Sequence, residues 1–93
     1  MVLKVAYNDD SSKFVEELIE NIKGYPLIKL ETYHEQLFKE RKKAFAIKNE
    51  WGTRECPFAI LIDNKEPIKA FYNEQNNCNL DTIINFLNQI NIV

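Results

Sequence analysis

Trp51-Gly52-Thr53-Arg54-Glu55-Cys56-Pro57-Phe58-Ala59-Ile60-Leu61-Ile62-Asp63-Asn64-Lys65-Glu66 is the stretch that decides how this chain is read. Its centre, Phe58 to Ile62, is an unbroken apolar run bounded by Pro57, as a strand covered on both faces requires. Asp63 to Glu66 are turn formers. Ile68-Lys69-Ala70-Phe71-Tyr72 then alternates enough for a strand with one wet side. So short a connection between two strands implies an antiparallel hairpin.

Working outward toward the N-terminus, Val2 to Tyr7 is apolar almost throughout and reads as another doubly covered strand. Asn8-Asp9-Asp10-Ser11-Ser12 stops it with residues that favour turns and helix N-caps. Phe14, Val15, Leu18, Ile19 and Ile22 follow at helical spacing, with Glu16, Glu17, Glu20 and Lys23 on the other side. Gly24 stands at the expected C-cap, and Pro26 forbids continuation. Leu27 to Leu30 is a short strand candidate. Thr32-Tyr33-His34-Glu35 has the form of a capping box, which predicts a helix over Tyr33 to Glu50 closed by Gly52. Beyond the hairpin, Asn73 to Asn79 is a polar loop. Leu80, Ile83, Ile84, Leu87 and Ile90 predict a last helix with Asn79 as N-cap.

The order β-α-β-α-β-β-α predicts an α/β fold. A parallel strand pair joined by a right-handed crossover comes first, and the antiparallel hairpin last. The result is one four-stranded mixed sheet with helices on both faces. At 93 residues this is a single domain spanning 1–93. Such a chain buries roughly 60–65% of the surface it exposes when unfolded.

A net charge of -2, from 12 Lys+Arg against 14 Asp+Glu, argues against a nucleic-acid binder. No apolar run approaches the roughly 18 residues of a membrane helix, and the first residues lack the pattern of a secretory signal. The expected setting is the cytoplasm, with no membrane partner. Two cysteines, Cys56 and Cys78, are too few for a disulfide scaffold. With His34 as the one histidine, a structural metal is not expected either. Only Gly24 and Gly52 are glycines, so no phosphate-cradling loop exists. No cofactor is implied.

The element order resembles the thioredoxin/glutaredoxin family. The segment quoted first is similar to that family's run of aromatic, Gly, variable residue, Arg, two variable residues, Pro, apolar strand and polar turn. The resemblance implies that Pro57 is a cis proline beside the active site, whose loop presents backbone groups to an extended substrate. The departure lies after the first strand, where the family carries Cys-x-x-Cys. Aligning Lys13 with the Lys that often follows that motif puts Asp9-Asp10-Ser11-Ser12 in its place. Exchange with a disulfide needs a thiolate of depressed pKa. A Ser hydroxyl lacks that acidity, and an Asp carboxylate is no nucleophile toward sulfur. The resemblance therefore implies a redox-inactive member that binds a protein or peptide along the proline loop.

The candidate groove comprises Asp9, Asp10, Ser11 and Ser12 on one rim and Glu55, Cys56 and Pro57 on the other. Each candidate has a plainer reading. Asp9 to Ser12 can be N-caps alone. Cys56 can be a small apolar filler or a single redox thiol, which makes a one-thiol oxidoreductase the alternative function. Glutathione is a further ligand the resemblance implies. Cys78 reads as incidental in its polar loop, too far from Cys56 to pair. His34 reads as a solvated histidine in a helix's first turn. Lys39, Arg41, Lys42, Lys43 and Lys48, interleaved with Glu35, Glu40 and Glu50, read as a salt-bridged helix face. Trp51, Phe58, Phe71 and Tyr72 read as core. The edge strand Ile68 to Tyr72 leaves a sheet-edge dimer open.

Overall fold

A computed structural model describes residues 1–35 and 55–90. Strand β1 (Val2–Tyr7), helix α1 (Ser12–Ile22), strands β2 (Lys29–His34), β3 (Phe58–Asp63) and β4 (Glu66–Tyr72), and helix α2 (Leu80–Gln89) follow in order. The four strands form one mixed sheet in the order β2-β1-β3-β4. β1 and β2 are parallel, while β3 runs antiparallel to both β1 and β4. The expected α/β sheet with its parallel pair and closing hairpin is present.

Period-2 alternation in β1 and β3 divides the core. Leu3, Val5, Ala59, Leu61 and Phe71 face α1 and α2, meeting Val15, Leu18, Ile22, Ile83 and Leu87. Ala6, Phe58, Ile60 and Ile62 form a second buried cluster on the opposite face. Both described helices thus share one face. The helix read over Tyr33 to Glu50 lies, from 36 onward, outside the described residues, as do Trp51 and the basic face from Lys39 to Lys48.

Lys4 is the one charge inside β1. It stands opposite Glu31 in register, with Nζ 3.9 Å from the carboxylate, and Lys29 approaches the same group at 3.5 Å. The Tyr33 hydroxyl donates to it at 2.8 Å. That hydroxyl, with the two ammoniums, holds the Glu31 carboxyl below its usual range despite opposing desolvation. Burial first, and then this bond to Glu31, push the Tyr33 phenol up to about 12.

Three local expectations give way to stronger interactions. Leu27 and Ile28 are turn, not strand: Ile28 N–H donates to Tyr25 C=O at 3.0 Å, with Pro26 at the second turn position it favours. The strand starts at Lys29, whose N–H donates to Met1 C=O. Thr32, Tyr33 and His34 belong to β2, so the capping box does not form where it was read. These residues pair with Val5, Ala6 and Tyr7, and the sheet ladder outweighs a local cap. Gly24 is not a left-handed cap either. The C-cap is Lys23 in right-handed geometry, and no glycine has a positive φ among the described residues.

The hairpin closes through Asn64 and Lys65, both at positive φ (50° and 68°), the backbone of a two-residue type I′ turn. Along the β4 edge, Pro67 removes a donor, a register shift falls at Leu61/Ile62, and Lys69 is exposed. These features blunt the edge against pairing with another copy. Asn79 caps α2 as the sequence predicts, its Oδ1 accepting from Thr82 N–H at 2.9 Å.

Candidate functional site

The register of the sheet decides which chemistry-bearing residues share an end. Ala6 pairs with Phe58, Tyr7 pairs with His34, and Phe58 pairs with Tyr72. The carboxyl end of β1 therefore gathers the Asn8–Ser12 turn, the end of β2 at His34, the 55–57 loop and the loop after β4. Both rims of the expected groove leave the sheet from adjacent strands at this end.

The first rim is largely a self-contained cap. Asn8 N–H donates to Ser11 Oγ at 3.0 Å, and Ser11 N–H donates to Asn8 Oδ1 at 3.1 Å, a reciprocal capping box around the 3₁₀ turn Asp9–Ser11. Ser11 Oγ also donates to Asn8 Oδ1 at 2.9 Å, and its residue is buried. Ser11 is thus removed from the contact surface, because its hydroxyl serves Asn8. Ser12 is exposed, yet its hydroxyl donates to Asp9 C=O at 3.0 Å. Asp9 and Asp10 remain as the outward groups, both exposed.

Asp9 has a partner the sequence reading did not assign. His34 Nε2 lies 2.9 Å from Asp9 Oδ1, and its ring meets the Tyr7 ring edge-on at 5.2 Å. His34 is therefore a strand-end residue tying β2 to the turn, not a solvated side chain in a helix. At 97% exposure of the Asp9 side chain, this is a surface pair of small energy. Tyr7 packs on the helix-covered core, whereas Cys56 packs against the opposite cluster. The imidazole is on the wrong face to activate the Cys56 thiol.

The second rim is open. Glu55 is exposed, while Cys56 and Pro57 are half-buried above the fully buried Phe58. The Cys56–Pro57 peptide bond is cis. Neither Cys56 nor Cys78 is in a disulfide.

Cys78 departs from its reading as an incidental loop residue. It is buried in the helix-covered core with Phe71, Ile83 and Leu87. Asn77 brings it there: Tyr72 N–H donates to Asn77 Oδ1 at 2.6 Å, and Asn77 N–H donates back to Tyr72 C=O at 3.3 Å. Burial pushes the Cys78 thiol up to about 12, with a lesser contribution from the charge of Cys56. The two cysteines therefore lie at the same end of the sheet, contrary to the sequence expectation, but on opposite faces. A loop whose composition is polar gives no signal of this.

Among the described residues no three His, Cys, Asp or Glu side chains gather as metal ligands. No described helix is long and apolar enough to cross a membrane. A scan of protein-family models and searches of curated proteins and solved structures gave no match.

Proposed function

We propose that this chain is a thioredoxin-like domain that binds an extended protein segment across the carboxyl end of β1 and carries out no dithiol exchange there. One observation carries the reading. The β1–β3 ladder sets Ala6 opposite Phe58, so the 8–12 turn and the 55–57 loop leave adjacent strands at one end of the sheet, and the turn carries carboxylates and hydroxyls but no thiol. Ligands of open α/β sheets bind beyond the carboxyl ends of the parallel strands. Main-chain pairing along a loop gives affinity without chemistry. Asp9 and Asp10 form one rim, Glu55, Cys56 and Pro57 the other, and Ser11 holds the first in shape. Two cysteines outside any disulfide suit a reducing compartment.

A second reading is favoured by the half-exposure of Cys56. Its thiolate would displace one sulfur of a glutathionylated protein, releasing that protein's thiolate and leaving Cys56 joined to glutathione. A second, free glutathione thiolate would then attack this disulfide, restoring the Cys56 thiolate and leaving oxidised glutathione. Reduction of insulin and of a glutathione mixed disulfide, compared between wild type and Cys56→Ser, separates the two. Equal background rates support the binding module; wild-type turnover that Cys56→Ser abolishes supports the single-thiol enzyme.

A further inference from the structure

We draw no further inference here: the strongest candidate, the Cys56 and Cys78 thiols gathered at the carboxyl end of β1, packs on opposite faces of the sheet and is linked only by the influence of one thiol's charge on the other's pKa, which shows no approach of the two sulfurs.

Discussion

The two loops that leave adjacent strands at the carboxyl end of β1 differ in how they present their polar groups. The Asn8–Ser12 turn spends most of its donors and acceptors on itself, through the Asn8–Ser11 box and the Ser12 hydroxyl. The 55–57 loop stands over a buried phenylalanine and leaves Glu55 exposed and Cys56 half-exposed. The first is a scaffold that holds two carboxylates outward; the second exposes Glu55 and part of Cys56. Substitutions in the turn should therefore cost stability, whereas substitutions in the loop should cost binding.

The largest expected effect tests whether the loop is open at all. Cys56 should alkylate readily in the folded protein, while Cys78 should not. With the Cys78 thiol pushed up to about 12 by burial, its reactive thiolate is scarce at pH 8. Burial slows the reaction further. Labelling of Cys78 should rise as pH climbs toward 12, because the reactive anion gains population in that direction. Mass spectrometry of iodoacetamide-treated protein reads both sites, and equal labelling at pH 8 would erase the contrast.

Next in size is the anchor beneath the loop. Phe58 is fully buried, so Phe58→Ala should lower unfolding free energy by about 3–5 kcal/mol, measured by urea denaturation. A loss below about 1 kcal/mol would mean the loop has no rigid floor. Smaller still is the direct comparison of the two loops. Asn8→Ala removes the cap and should cost about 1 kcal/mol, whereas Cys56→Ser at its half-exposed site should stay within about 0.5 kcal/mol. Asn8→Ala and Ser11→Ala disrupt one shared box, so the double variant should cost less than their sum. A Cys56→Ser loss matching that of Asn8→Ala would make the loop structural rather than a contact surface.

Legibility in the sequence followed the range of the forces involved. β1 and β3 were readable because a continuous apolar run has few alternatives, and Asn79 because its cap bond spans three residues. The second strand is legible in its place and order but not in its extent: it runs over Lys29–His34 rather than Leu27–Leu30, because its partner is β1, far away in sequence, and a local box pattern points elsewhere. Of the candidate site, the resemblance implies that Asp9–Asp10 and Glu55–Pro57 lie at one end of the sheet, and the register puts their loops on adjacent strands there. The inward turn of Ser11, the Asp9–His34 contact and the burial of Cys78 could not. The Asp9–His34 contact and the burial of Cys78 depend on where strands end relative to one another, which residue type does not encode. The Asn8–Ser11 box is local, but Asp9, Asp10 and Ser12 fit a cap equally well by residue type.

The central claim is that the end of the sheet bearing Cys56 is the binding face. Its most direct test is backbone amide NMR of the protein titrated with a peptide selected from a random displayed library. Shifts concentrated at Asp9, Asp10, Glu55 and Cys56 are the predicted result. Shifts concentrated instead around Lys4, Asn64 and Lys65, which line an open cleft of about 630 Å³ at the other end of the sheet, would contradict it.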